Sequence, residues 1–208
     1  MTQSLKQKVY TLLKTKILNN ELSEGEYLEE TKLAELFGVS RTPLREAINA
    51  LENENLVQII PKKGTFVTTL NTQIIKELFQ ARHIVEPVAF ELAFPHLDSE
   101  VLLKYKNEFN INIENKDYKQ LHQLDYEFHN YINSMCRNRY LIKFLSGISD
   151  DFQRVRTQDF YTEKRTLGGA EEHLLFIDQI IEGNIDVALT QLKEHISNTE
   201  KYYFQSLY

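Results

Sequence analysis

The chain has 208 residues, room for one or two domains, and its 42% hydrophobic and 26% charged content excludes a disordered polymer. A net charge of −6 argues against indiscriminate nucleic-acid binding, and Cys136, the single cysteine, excludes an intrachain disulfide. No apolar run approaches the ~20 residues of a membrane span, and Lys6, Lys8, Lys14 and Lys16 interrupt the stretch where a signal peptide would carry its apolar core, so a cytoplasmic protein with no membrane partner is expected. The charge is unevenly placed. Residues 1–70 hold nine basic and nine acidic side chains, whereas residues 71–208 hold 15 and 21. Any nucleic-acid contact in the first part must therefore rest on local placement of charge, and it should weaken steeply with salt.

The first clear helical pattern is Thr31–Phe37, with Leu33, Ala34, Leu36 and Phe37 available for packing. A turn, Gly38-Val39-Ser40, leads into Arg41-Thr42-Pro43-Leu44-Arg45, where Ser40 suits an N-cap and Pro43 suits the first helical turn. Leu44, Ala47, Ile48 and Leu51 then form an i, i+3, i+4, i+7 stripe, which leaves Thr42, Arg45 and Asn49 outward. Taken alone, this is also any amphipathic helix with two solvated arginines. The residues beyond this helix narrow the choice. Leu56–Ile60 and Thr65–Thr69 are β-prone runs joined by the turn Pro61-Lys62-Lys63-Gly64. Two helices across a glycine turn, then a hairpin with a basic tip, make a winged helix-turn-helix that would bind double-stranded DNA. Arg41 and Arg45 would reach base edges, and Lys62 and Lys63 at the tip suit phosphate or minor-groove contact. Thr31, Ser40, Thr42 and Gly64 would contact phosphate or set the fit.

After Leu70 the strand signals stop. Periodicity predicts helices near 71–94, 98–114, 117–136, 139–161, 169–182 and 185–205, with breaks that include Phe94-Pro95-His96 and Gly168-Gly169. Asp98 and Asp117 suit N-caps, and Pro87 falls inside the first of these helices. The expected class is mainly α: a winged helix over residues 1–70 and an all-α antiparallel bundle over 71–208. Within the bundle, Asp125 and His129 lie four apart on one helix, with His173 and His195 on the last two helices. One carboxylate and three imidazoles suit Zn, Ni, Mn, Co or Fe rather than Ca. An isolated Asp–His pair at this spacing is, however, more often a surface contact, and six histidines can be scattered.

Residues 4–69 resemble the DNA-binding domain of the GntR family of bacterial repressors. The resemblance is carried by Leu22, Gly25, Leu28, Leu33-Ala34, the run Gly38 to Ala47, Leu51-Glu52, Leu56-Val57 and Gly64-Thr65-Phe66-Val67. Asn20 and Asn55 stand where that family often has Gly, and Asn tolerates a left-handed backbone. Residues 71–205 resemble the FCD ligand-binding domain of the FadR subfamily. The matching stretches are Arg82 with Glu86-Pro87, Asp125-x-x-Phe128-His129 followed by Asn138, Glu172-His173, and Gly183-Asn184 with Ala188 and His195. The resemblance implies that Asp125, His129, His173 and His195 ligate a divalent metal, Zn, Ni or Mn, at the floor of an effector pocket. It also implies that Arg82 lines that pocket, where a guanidinium would pair with a small organic acid. An ion pair of Arg82 with Glu86 is the equal alternative. Arg154 and Arg156 are further pocket candidates. His83, His96 and His122 are read as structural or surface residues, and Tyr126 and Phe128 as packing.

The function expected is that of a homodimeric regulator, a repressor by family expectation, on a pseudo-palindromic operator. The competing reading is a metal-dependent enzyme using the bundle's metal. The chain carries no paired Glu-x-x-His, HExxH, phosphate loop or nucleophile elbow, so no catalytic residue is assigned.

Overall fold

The computed structural model describes residues 4–157 and 162–207. The chain divides into two compact units, Met1–Asn71 and Thr72–Tyr208. The first contains α1 (Leu5–Leu18), β1 (Tyr27–Leu28), α2 (Glu30–Phe37), α3 (Arg41–Asn53), β2 (Val57–Ile60) and β3 (Gly64–Val67), with the strands antiparallel in the order β1-β3-β2. The apolar stripe of α3, Leu44, Ala47, Ile48 and Leu51, is fully buried, and α1 packs on α3 through buried Val9, Leu13 and Ile17. Neither α1 nor the short β1 is among the elements expected from the sequence. The cues for α1 are nonetheless in the chain: Ser4 caps it by accepting from the Gln7 amide, and Val9, Leu13 and Ile17 repeat every four residues.

Two positions in this unit require unusual backbone. Gly38 ends α2 in the left-handed region, φ 62°, which turns the chain sharply into α3. Gly64 has φ 113°, and a Cβ there would lie 2.4 Å from Tyr27 Cε2, so only glycine lets β3 pass under the Tyr27 ring. Asn20 and Asn55 do adopt left-handed conformations, φ 56° and 59°. Ser40 occupies the N-cap position of α3, but its side chain makes no cap hydrogen bond.

The second unit is all helical: α4 (Thr72–Ala93), a 3-10 turn (Phe94–His96), α5 (Ser99–Asn115), α6 (Tyr118–Ser134), α7 (Arg139–Arg156), α8 (Glu163–Ile181) and α9 (Ile185–Gln205). Asp98 and Asp117 cap α5 and α6 as expected. Helix α4 runs unbroken through Pro87. Its inward face meets α6, α7 and α9, and α8 packs against α5, α6 and α9. Edge-to-face and tilted pairs among Phe79, Phe90, Phe109, Phe128, Phe152 and Phe176 fill the interior. One boundary differs from expectation. Gly168-Gly169 does not break the chain; α8 starts at Glu163, capped by Thr162, and passes through both glycines. Arg165, Thr166, Gly169, Ala170 and His173 form its buried face, so tertiary burial outweighs the ~1 kcal/mol per residue that glycine costs a helix. The last residues of the expected helix 139–161 lie outside the described residues; α7 ends at Arg156.

Candidate metal centre and nucleic-acid interface

Four side chains from three helices converge inside the bundle. Asp125 and His129, one turn apart on α6, meet His173 from α8 and His195 from α9, and one ligand atom of each lies within 4.8 Å of all the others. The imidazole rings stand 4.4 Å (His173–His195), 5.0 Å (His129–His173) and 5.4 Å (His129–His195) apart. Phe109 and Phe128 wall the cluster from the side of His173. All four groups are buried, His173 to 1% exposure. The Nε2 atoms of His129, His173 and His195 have no hydrogen-bond partner. Buried polar atoms left unpaired are costly, so three imidazole nitrogens facing one point call for a shared partner. A divalent ion fits that need, and three nitrogens with one carboxylate fit a borderline transition metal. With one ligand atom of each residue within 4.8 Å of all the others, side-chain adjustment would let the set close on a single ion.

The surroundings hold the donors ready. Burial, reinforced by the electrostatic influence of the neighbouring His173 ring, lowers His195 to about 3. Burial likewise holds His129 well below its ordinary value. Both are thus neutral at physiological pH, as metal ligands must be. Burial opposes ionisation of Asp125, but the Arg156 guanidinium and the adjacent imidazoles outweigh it and keep the carboxyl well below the usual range. Arg156 contacts Asp125 Oδ1, and His173 Nε2 lies 3.1 Å from Oδ2. On the outer side, His195 Nδ1 is 2.7 Å from Glu172 Oε2. Glu172 in turn accepts from Arg165 at 2.8 and 3.0 Å and from Asn198 at 3.0 Å.

Beside the cluster is a narrow cavity no larger than a water molecule, lined by Arg82, Glu86, Tyr126, His129, Phe152 and Arg156 among others. Arg82, 1% exposed, donates from Nε to Glu86 Oε1 at 2.6 Å, so the ion-pair alternative is realised. Its Nη1 has no partner, and its guanidinium lies 3.8 Å from the Phe152 ring centroid. Arg156 also lies on that ring, at 4.4 Å. Two guanidinia are thus set on one aromatic ring at the cavity. Arg154 instead pairs with Asp151, outside this cavity's lining. Tyr126, read as packing, lines the cavity and donates to Asp150 at 2.9 Å. His83 pairs with Glu200 and His122 with Thr166, so neither joins the cluster. Sequence reasoning misses the outer contacts of Glu172, because Arg165 and Glu172 lie seven apart on a segment where the sequence suggests a break.

In the first unit, Thr31, Arg41, Arg45 and Gly64 line one shallow concavity, and Ser40, Gly38, Thr31 and Arg41 line another. Arg41, Thr42 and Arg45 stand at the start of α3, with both arginines exposed. Arg41 Nη2 reaches Thr31 Oγ1 at 3.4 Å, and Arg45 Nε donates to Glu30 Oε2 at 2.7 Å. Glu30 therefore orients the arginine across the helix-turn-helix, a contact that spacing alone does not reveal. Lys62 (φ 64°) and Lys63 are exposed at the β2–β3 turn.

Comparison with known proteins decides the family. Residues 5–67 match the gntR family of bacterial regulatory proteins, and residues 77–198 match the FCD domain. The chain belongs to the GntR regulators that carry an FCD domain. It is 28% identical over 193 residues to the HTH-type transcriptional regulator YdhC of Bacillus subtilis, spanning 91% of this chain and 86% of that protein. It is 26% identical to the gluconate operon transcriptional repressor of Bacillus licheniformis, spanning 90% and 80%. Its fold matches that of E. coli McbR/YncC with a TM-score of 0.84 at 20% identity, covering 98% of this chain and 99% of that one. This GntR protein is thus a DNA-binding transcriptional regulator with an effector-binding domain, not an enzyme. Among the described residues, no helix is long and apolar enough to cross a membrane.

Arg45 is largely exposed and a solvent-exposed ion pair such as that with Glu30 adds little to stability, so Arg45→Ala should melt within a few degrees of the parent. The variant should nonetheless bind a selected DNA duplex about tenfold or more weakly in fluorescence anisotropy; unchanged affinity would exclude Arg45 from base contact. Separately, the folded chain holds His129 and His195 neutral below their ordinary value of 6.5, so the unfolded chain takes up more protons once pH falls past that value. Stability of metal-free protein is then fully present above ~6.5 and is lost as pH falls toward ~3. Calorimetric melting should show the midpoint dropping by several degrees between pH 7.5 and 5; a flat profile would contradict neutral, buried imidazoles.

Proposed function

We propose that this regulator is a repressor that binds a pseudo-palindromic operator as a homodimer and is controlled by a small carboxylate held beside a divalent metal. The observation that carries the reading is the convergence of three unpartnered imidazole Nε2 atoms and Asp125 next to a cavity bearing Arg82 and Arg156. Asp125, His129, His173 and His195 would hold the ion; Zn, Ni or Mn suits the donors. When bound, the metal supplies a Lewis-acidic position for a carboxylate oxygen. Arg82 and Arg156 supply the fork-shaped donors that pair with the rest of an organic acid. Phe152 keeps both guanidinia against the cavity and excludes water from one side. The similarity to a gluconate operon repressor supports both the repressor reading and a carboxylate ligand, gluconate being a carboxylate.

In the first unit, Arg41 and Arg45 would read guanine edges, with Thr42, Ser40, Thr31, Lys62, Lys63 and Gly64 engaging the DNA backbone or setting the fit. Two such helices related by a two-fold axis would meet two half-sites. Residues 1–70 serve this DNA-binding role and residues 71–208 the effector and dimerisation roles. The cavity is too small for an organic acid as it stands, so binding selects an expanded state in which Arg82 exchanges Glu86 for the ligand. A ligand that prefers one state shifts DNA affinity by its differential affinity, typically about 1–3 kcal/mol.

The test is a duplex selected from a random pool, bound to metal-loaded protein and titrated with acetate, succinate, citrate and gluconate. At least one acid should weaken DNA binding about fivefold or more, and it should do so for the parent but not for His173→Ala. DNA affinity indifferent to every acid in both proteins would overturn the reading.

A further inference from the structure

The imidazoles of His129 and His195 differ in what stands behind them. His129 Nδ1 faces Glu86 Oε2 at 3.7 Å, too long for a hydrogen bond, and Glu86 is already engaged by Arg82. His195 Nδ1 meets Glu172 Oε2 at 2.7 Å. Glu172 is itself held by several donors. Arg165, seven residues earlier on α8, grips both of its oxygens at 3.0 and 2.8 Å, and Asn198 Nδ2 adds a third donor at 3.0 Å. Arg165 is anchored in turn by Thr199 Oγ1 at 2.9 Å, and Thr199 donates back to the His195 carbonyl at 2.8 Å. The chain of contacts thus starts and ends on the turn of α9 that carries His195.

We infer that Glu172, held by Arg165, is the positioning residue of the metal centre: it fixes His195 in the Nδ1–H tautomer and aims its Nε2 lone pair at the ion. The inference rests on the proposed metal reading. A carboxylate gripped by a guanidinium can only accept, so His195 must donate from Nδ1. The proton on Nδ1 leaves Nε2 as the lone-pair nitrogen, and Nε2 is the atom in the cluster with no protein partner. Outer carboxylates of this kind raise ligand basicity and fix ring orientation, and their loss costs about 10–100-fold in metal affinity. His195 is consequently held more firmly from behind than His129. Glu172, adjacent in sequence to His173, takes no place among the ligand atoms themselves.

The experiment compares the full chain with Glu172→Gln and Asn198→Ala. Glu172→Gln keeps the shape but loses the charge and the grip of Arg165; Asn198→Ala removes one donor to Glu172 and leaves the His195 contact. Zinc affinity is measured at fixed pH by competition with a chromophoric chelator, and the His195 tautomer is read by nitrogen-15 NMR in metal-free protein. The expected result is a loss of about 10–100-fold in zinc affinity for Glu172→Gln, with His195 moving to a tautomer mixture, and a change under about threefold for Asn198→Ala. Zinc affinity of Glu172→Gln within about threefold of the parent, or a His195 tautomer unchanged by the substitution, would overturn the assignment while leaving the metal reading intact. No zinc uptake by the parent would instead overturn the metal reading and this inference with it.

Discussion

The bundle is organised around a polar demand at its centre. Three imidazoles and a carboxylate, contributed by α6, α8 and α9, are buried together, and the Nε2 atom of each imidazole makes no hydrogen bond. Such a set is expensive to bury without a partner, which makes it weak as a stabilising device and informative as a binding one. The surroundings are arranged to keep the expense tolerable. Burial keeps His129 and His195 neutral, and Arg156 keeps Asp125 ionised. The outer ring, Glu172 with Arg165 and Glu86 with Arg82, pairs charges that would otherwise be stranded. Arg82 and Glu86 are both almost fully buried, and removing one member of such a pair typically costs about 3–5 kcal/mol, so that part of the outer ring is also structural.

In the proposed function, the same arrangement would link fold to regulation. Phe152 on α7 supports Arg82 from α4 and Arg156 from its own helix, and these arginines touch, respectively, Glu86 beside His129 and Asp125 in the cluster. An anion entering the cavity would draw on both guanidinia and so alter the partners of two groups next to the metal ligands. A buried ion pair with an alternative partner within reach has the makings of a bistable element, and packed interiors switch between such arrangements rather than deforming continuously. The DNA-binding unit solves a different problem. With no net charge to draw it to DNA, it gathers Arg41, Arg45, Lys62 and Lys63 at the start of one helix and the tip of one turn. In the free protein Glu30 holds Arg45, in an exposed pair that a base edge could displace at little cost.

Elements whose local chemistry agrees with their tertiary setting are readable from the chain. The α3 stripe, the glycine turn at Gly38, the Asp98 and Asp117 caps and the wing hairpin all follow from spacing and residue type, and the structure places them as expected within a residue or two. The start of α8 is not, because Gly168-Gly169 is a local break signal, and only the buried face from Arg165 to His173 overrides it. The four candidate ligands are legible as residues through family resemblance, yet their convergence depends on how three helices pack, which no spacing reveals. For the same reason the contact of Arg156 with Asp125, the Glu172–Arg165 support and the Glu30–Arg45 pair emerge only from the folded chain.

Elemental mass spectrometry on untagged protein purified without chelators, beside His173→Ala, decides whether the cluster holds a metal. The parent should carry about one transition-metal ion per chain and the variant far less. A parent that carries no metal, and takes up none from zinc, nickel or manganese salts, would contradict the metal reading.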